Sequence, residues 1–362
     1  MPVKVLIIAS GDLWAGAEAV VYNLAKGLET QASIRLMVVV LNDGKLATLL
    51  MKHGIETYIV DETENSFPVL VLKVTKIAKN FRPHVIHAHR YKENILALMV
   101  KTLFLQTKLV TTVHGLSEGH SPSKTNILSK INLYMEKFFF SKVIAVSNDI
   151  KYYFINELKF STYKVDRIYN GIEMPEKNQS HNKKENFFTI GSAGRLFPVK
   201  DYLFMVDIAN ELCAERDDIK FVLAGEGPIR AAIEDRIKEH QIEDKFRLLG
   251  HLDNMQSFYN SIDIYLNTSH HEGIPVTVIE AMAYCIPVVA PDVGGLPEVV
   301  EHQKTGWLVK SRDAGEFARI INNIISDNGA MAVAKDNAGK RARKYFSIGC
   351  MTESYMNIYA NL

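Results

Sequence analysis

Short runs of β-branched and other apolar residues recur along the chain, separated by stretches in which apolar positions return every three or four residues. In the first half the runs are VKVLIIAS, IRLMVVVL, ETYIV, HVIHAH, KLVTTVHG and KVIAVS, each of strand length and ending in small or polar residues. Between the first two, AEAVVYNLAKGLE places Ala17, Val21, Leu24, Ala25 and Leu28 at helical spacing. Runs that are apolar throughout, rather than alternating, predict parallel strands covered on both faces. With helices between them, they predict a doubly wound α/β domain.

The rhythm breaks near RIYNGIEMPEKNQSHNKKENFF. Residues 173–186 are polar, rich in Lys, Asn and Glu, and without periodicity, which predicts a linker. The pattern then resumes with FFTIGSAGR, KFVLAGEG, FRLLGHL, SIDIYLNTS, IPVVAPD and GWLV. The expected organisation is a Rossmann-like domain over 1–172, the linker 173–186, and a second Rossmann-like domain over 187–345. The tail 346–362, FSIGCMTESYMNIYANL, begins after the second sheet is complete and is expected to cross back as a helix onto the first domain. No sequence repeat links the halves; only the architecture recurs. Open parallel sheets bind ligands beyond the carboxyl ends of their strands, so two such domains predict a shared inter-domain cleft.

A length of 362 residues, 47% apolar and 23% charged, fits two ordinary globular domains. The net charge of +1 hides an asymmetry: residues 1–185 hold 24 Lys+Arg against 17 Asp+Glu, and residues 186–362 hold 18 against 24. The basic half is a candidate for peripheral contact with an anionic membrane; nucleic acid is not an expected partner. Within it, residues 121–142 combine lysines with Tyr134, Phe138, Phe139 and Phe140, as a helix lying on lipid would. Ile127, Ile131, Tyr134 and Phe138 also repeat at core spacing, and burial is the favoured reading. Cys213, Cys285 and Cys350 are scattered without a C-x-x-C pair, so neither a zinc site nor a disulfide framework is expected. A cytoplasmic setting fits, at most peripheral at the inner face of the membrane. The opening MPVKVLIIASGD is too short for a span, lacks a cleavage pattern, and is expected to be a buried strand.

Candidate chemistry gathers at the strand ends. GSAGRLFPVKD sets Arg195 and Lys200 between a glycine turn and a helix start. Two cations there suit a diphosphate, although each also suits a surface carboxylate. AGEGP, with Gly227, is a tight turn that lets backbone approach a ligand, and LGHLDN, with Leu252, can read the edge of a flat ring through its backbone. HHEGIPVTVIEAMAYCIPVVAPDVGG carries Glu272 before a turn and Glu280 eight residues later in a helix. Pro275 sits at the helix start, where the first-turn amides near Val276 and Thr277 form an anion site. Glu280 can accept two hydrogen bonds from a vicinal diol such as that of ribose, and Glu272 faces another part of the ligand. Ribose, diphosphate and a second polyol together describe a nucleotide-sugar. In the first half, HAHRYKEN brings His89, Arg90 and Lys92 to a strand end, where they suit an anionic acceptor or are solvated loop charges.

GRLFPVKD followed by EGIPVTVIEAMAYCIPVVAPDVGGLPEVV resembles the retaining glycosyltransferases of family 4, which have the GT-B architecture. AGAEAVVYNLAKGL is similar to the family's Gly-Gly-x-Glu loop and following helix, and HVIHAH, TTVHG, AVSNDIK and YNGIE fall in the family order. The likeness covers nearly the whole chain. It implies that Glu280 holds the ribose and that Arg195 and Lys200 hold the diphosphate. Glu272 and the backbone of Gly273 and Ile274 contact the donor sugar, Gly16 and Ala17 close on the phosphates, and His114 lines the sugar pocket. Two departures stand out: Ala15 replaces the first loop glycine, which is expected to alter that loop, and Cys285 stands where glycine is common, which is expected to change packing only.

The implied reaction is retaining transfer of a sugar, from UDP-hexose or UDP-N-acetylhexosamine, to a hydroxyl of a glycan or lipid-linked acceptor, as in surface polysaccharide synthesis. No cofactor is expected and no metal: the sequence has no Asp-x-Asp triplet, and the cations serve the phosphates instead. A nucleotide-sugar 2-epimerase or hydrolase on the same scaffold is the alternative. A dinucleotide oxidoreductase is disfavoured because SGDLWAGAE, not G-x-G-x-x-G, follows the first strand.

Overall fold

The computed structural model describes residues 2–12, 14–115, 127–176 and 187–362. The chain divides into two compact units: Met1–Glu173 with Ser347–Leu362, and Met174–Phe346. Most of the expected linker, residues 177–186, lies outside the described residues.

The first unit is a parallel sheet of β1 (Val3–Ala9), β2 (Ile34–Val40), β3 (Thr57–Ile59), β4 (Val85–Ala88), β5 (Lys108–Val113), β6 (Lys142–Ala145) and β7 (Val165–Arg167). Their order is β3-β2-β1-β4-β5-β6-β7. β1 is central: Val5 lies opposite Leu36 on one side and Val85 on the other. Both faces of β1 are buried, which is why its sequence does not alternate. Leu6 and Ile8 on one face pack with Met37, Val39 and Ile86 beneath the helices Phe67–Phe81 and Tyr91–Lys101. All six expected strands of this half form. β7 was not anticipated, because three residues of which only Val165 is buried leave too short an apolar trace.

The helix Ile348–Ala360 belongs to this unit. It packs on the helix Gly16–Glu29 so closely that a Cβ on Gly27 would lie 2.0 Å from Thr352 Oγ1. Its Tyr355 and Tyr359 hydroxyls meet Thr112 Oγ1 at 2.8 Å and His87 Nδ1 at 2.7 Å.

One expectation is overturned here. The helix Ile127–Phe139 does form, but Ile131, Tyr134 and Phe138 are 45%, 59% and 61% exposed, not buried. Asn132, Met135 and Glu136 face inward instead. Asn94 Nδ2 donates to Asn132 Oδ1 at 3.0 Å and to Glu136 Oε1 at 2.9 Å, so a buried polar network claims the inner face. The side chains of residues 121–129, Ile127 among them, lie outside the described residues.

The second unit holds β8 (Phe188–Ala193), β9 (Ile219–Ala224), β10 (Phe246–Gly250), β11 (Ile264–Leu266), β12 (Val288–Pro291) and β13 (Gly306–Val309), in the order β10-β9-β8-β11-β12-β13 and all parallel. Ile190, Leu223, Leu266 and Val289 form its core with Met205, Val206, Phe317 and Ile321 from two covering helices. Cys285 ends the Val276–Ala283 helix region at φ +58°, in the left-handed range. Its departure from glycine therefore acts on the backbone, costing about 1 kcal/mol, and not on packing alone.

Candidate functional site

In an open α/β sheet the crevice opens where strand order reverses, at the carboxyl ends of the strands. In the second unit that point lies between β8 and β11. The β8 loop carries Arg195 and Lys200, and the β11 loop carries Glu272, so topology brings the two loops that hold these candidates to one point.

Lys200 ends a single 3-10 turn, Pro198–Lys200, and its Nζ lies 2.6 Å from Glu272 Oε1. The same oxygen accepts from Ser269 Oγ at 2.6 Å and from Asn267 Nδ2 at 3.4 Å. A buried carboxylate with these partners keeps one fixed orientation and leaves Oε2 with no protein donor among the described residues. Arg195 is exposed, its guanidinium 4.8 Å from the Phe197 ring. Arg312, which sequence reasoning missed, clamps the pair from behind: it bridges Asp201 and the carbonyls of Thr268 and Ser269 and stacks on Phe204 at 4.5 Å. No motif surrounds it; only the fold brings it there.

Gly294 explains why the Gly-Gly turn follows β12. It adopts φ +53°, and a Cβ there would stand 2.2 Å from the Glu272 carbonyl oxygen. Gly295 N donates to that oxygen at 2.9 Å. The turn with Gly227 brackets the Arg195 segment in the same way, since Leu196 N bonds Glu226 O at 2.9 Å and a Gly227 Cβ would lie 2.4 Å from Leu196 O.

The helix Val276–Ala283 begins directly after Gly273, Ile274 and Pro275. The amides of Val276 and Thr277 belong to its first turn, which has no intrahelical acceptor. Thr277 Oγ1 meets the Tyr265 hydroxyl at 2.8 Å, which fixes this helix start over β11. One turn on, Glu280 Oε2 accepts from the Tyr259 hydroxyl at 2.6 Å, and Tyr284 stacks on Tyr259 at 5.2 Å. Burial pushes the Glu280 carboxyl up to about 7, the Tyr259 hydrogen bond opposing it only in part. Tyr259 and Tyr265 were also missed, Tyr265 because it sits between Ile264 and Leu266, and Tyr259 because nothing near it in sequence marks its hydroxyl. Leu252 lies in the turn after β10 that leads to the Tyr259 helix, Met255–Ser261.

In the first unit the order reverses between β1 and β4. Beyond β1, the helix with Gly16 and Ala17 is capped by Glu18, whose Oε2 accepts from Ala15 N at 3.1 Å. Ala15 is extended at φ −141°, ψ −170°, so alanine in place of glycine imposes no strain. Glu93 holds the end of β1, accepting from Ser10 N at 2.8 Å and Ser10 Oγ at 2.5 Å. His87 within β4, His89 just after it and His114 just after β5 stack their rings in a ladder, His87 and His89 buried and His114 partly so, with His89 Nδ1 3.1 Å from His114 Nε2. Burial lowers His87 and His114 to about 3 and His89 well below its ordinary value, so all three rings are neutral near pH 7.

His89, Arg90 and Lys92 do not form a common cationic patch. His89 is buried and neutral, which corrects its reading as a solvated loop charge. Arg90 bonds Glu18 at 2.5 Å and faces Asp12 at 3.7 Å, and Lys92 faces Glu62 at 3.5 Å.

The profile for Glycosyltransferase Family 4 matches residues 14–174, and that for Glycosyl transferases group 1 matches residues 173–344. The N-acetyl-alpha-D-glucosaminyl L-malate synthase of Bacillus anthracis is 27% identical over 76% of this chain and 73% of its own length. The UDP-Gal:alpha-D-GlcNAc-diphosphoundecaprenol alpha-1,3-galactosyltransferase of Escherichia coli is 21% identical over 81% and 79%. The crystal structure of HepE from Anabaena, in complex with UDP and glucose, superposes with a TM-score of 0.86 at 23% identity, covering 99% of this chain and 100% of that one. That likeness speaks for the fold. With the two profiles lying end to end across both units, the chain belongs to the family 4 glycosyltransferases and has the GT-B fold.

Proposed function

We propose that this glycosyltransferase moves a hexose or N-acetylhexosamine from a UDP-linked donor to a hydroxyl of a glycan or lipid-linked acceptor, with retention and without a metal. The observation that carries the reading is the Lys200–Glu272 pair beside the start of the Val276–Ala283 helix, at the β8/β11 switch point. The names of the Escherichia coli relative and of the Anabaena complex, with UDP-Gal and with UDP and glucose, support the donor class.

Arg195, Lys200 and the Val276 and Thr277 amides are assigned to the diphosphate, Glu280 to the ribose, and Glu272 Oε2 with the Gly273 and Ile274 backbone to the sugar hydroxyls. The acceptor oxygen attacks the anomeric carbon on the face from which the diphosphate departs. The breaking C–O bond leaves its electron pair on the phosphate, and the acceptor's proton passes to that phosphate. The transition state is oxocarbenium-like, so stabilising the departing negative charge is the main catalytic demand. Neutral His114 serves as a hydrogen-bonding group and not as an acid.

A thermal-shift panel of UDP-, GDP- and ADP-sugars with EDTA present tests this. A UDP-sugar at a hundredfold excess over its Kd is expected to raise Tm by about 5–10 °C. If no nucleotide-sugar shifts Tm, or if a shift requires added divalent metal, the reading fails.

Peripheral membrane contact is part of the proposal, supported by the outward Ile131, Tyr134, Phe138 and Phe139 on one helix of the basic half. Among the described residues no helix is long and apolar enough to cross a membrane. Co-sedimentation with anionic vesicles is expected for the wild type and about tenfold weaker for Phe138→Asp; equal sedimentation of the two removes this face from the contact.

A further inference from the structure

A pocket of about 390 Å³ opens at the carboxyl edge of the first unit's sheet, and none of the donor-side assignments uses it. Its walls are Leu41 after β2, Phe67 and Leu70 from the Phe67–Phe81 helix, and Ile95 and Leu96 from the Tyr91–Lys101 helix. The volume lies in the range of small-ligand sites, and the composition matches them too: an apolar body with a few polar groups at one end. Those groups are Glu62, Asn65, Tyr91 and Lys92, with Glu62 and Lys92 3.5 Å apart.

The rim is tied to the loop beyond β1. Gly11 N donates to Asn42 Oδ1 at 3.2 Å, and Asn42 Nδ2 donates to Glu62 Oε1 at 3.4 Å. On the other side, His89 and Arg90 immediately precede Tyr91 and Lys92. The pocket therefore adjoins the β1/β4 switch point, where this unit's share of the chemistry is expected.

Its charge excludes an anionic occupant. Lys92 is matched by Glu62, and the adjoining loop DETE adds Asp61 and Glu64. Arg90 is bound by Glu18 and Asp12, and His89 carries no charge near neutral pH. A phosphate at this rim would meet more carboxylates than cations. Hydroxyl groups would find both a donor in Lys92 and an acceptor in Glu62.

Resting on the glycosyltransferase reading, we infer that this pocket receives the acceptor, and that the acceptor joins a neutral, hydroxyl-bearing head at the Glu62–Lys92 rim to an apolar group in the Phe67–Leu70–Ile95 walls. A pocket of this size accommodates an alkyl chain of roughly eight carbons. Any phosphate the acceptor carries then lies away from this rim.

Binding of n-octyl glucoside below its micellar concentration, followed by calorimetry, tests the inference against methyl glucoside, octyl phosphate and octylamine. Octyl glucoside is expected to bind about a hundredfold more tightly than methyl glucoside and at least tenfold more tightly than either charged amphiphile. Ile95→Trp, which fills the pocket, and Phe67→Ala, which removes a wall, are each expected to weaken it at least tenfold. Tighter binding of octyl phosphate or octylamine overturns the inference, as does unchanged binding in a folded Ile95→Trp or Phe67→Ala protein. The Tm shift of the wild type with a UDP-sugar reports separately. Its absence sinks the glycosyltransferase donor reading, whereas its presence with indifferent octyl glucoside sinks only the pocket.

Discussion

Replacing Lys200 by alanine is expected to lower kcat by about 10²–10³-fold while the protein stays folded. The ammonium stands 2.6 Å from Glu272, on the loops that follow β8 and β11 at the switch point, where the diphosphate is assigned. Negative charge on that group grows as the glycosidic bond breaks, so the lost interaction is worth more in the transition state than in the bound donor. The kinetic signature is therefore a fall in kcat with a modest change in KM. A second effect works in the same direction. Without Lys200 the buried Glu272 loses its counter-charge and keeps only the Ser269 and Asn267 donors, which frees its orientation. Lys200→Arg, which keeps the charge on a different geometry, should recover part of the activity; Glu272→Gln on top of Lys200→Ala should cost less than the two changes separately. Turnover within threefold of the wild type in Lys200→Ala, with an unchanged Tm, removes this residue from the chemistry.

How far the sequence anticipated this arrangement varies by residue, for physical reasons. Strands buried on both faces announce themselves as unbroken apolar runs, so twelve of the thirteen strands among the described residues were readable and three-residue β7 was not. Glu272 and Glu280 stood out as candidates because two carboxylates beside a Gly-Pro turn and a helix start have few other uses. Their partners were not. Lys200 and Glu272 are 72 positions apart, and nothing local says that the two charges meet. Arg312 reaches the same loop from 111 positions beyond Asp201. Tyr259 looks like one more core aromatic until its hydroxyl is placed on Glu280. The helix Ile127–Phe139 shows the opposite failure: periodicity found the helix but named the wrong face, because Asn94, Asn132 and Glu136 hydrogen-bond one another inside. Charge counting likewise saw Arg90 and Lys92 as a basic strand end without seeing Glu18 and Glu62, which neutralise them.

Glu280→Gln is expected to weaken donor binding about ten- to a hundredfold and, without donor, to make the protein more stable above pH 7. Both effects follow from one partly buried carboxylate assigned to the ribose. Burial raises its pKa to about 7, against an ordinary value of 4.5. Between those values the folded chain holds a proton that the unfolded chain has released, so stability falls as pH rises through this window and the loss is complete above 7. Because the residue is only half-buried, the loss is on the order of 1–2 kcal/mol rather than the full linkage value. Glutamine carries no such penalty, and its Tm at pH 8 should exceed that of the wild type, with the difference vanishing near pH 4.5. Donor affinity runs the other way. In the proposed assignment the ionised carboxylate accepts both hydroxyls of a ribose, and hydrogen bonds to a charged acceptor contribute about 1.5–3 kcal/mol. Wild-type affinity should therefore rise between pH 6 and 8, with a proton released on binding below pH 7, and Glu280→Gln should lose this dependence. Calorimetry in two buffers of different ionisation enthalpy measures the proton directly. A flat wild-type profile, or a glutamine variant that binds donor as tightly as the parent, would detach Glu280 from the ribose.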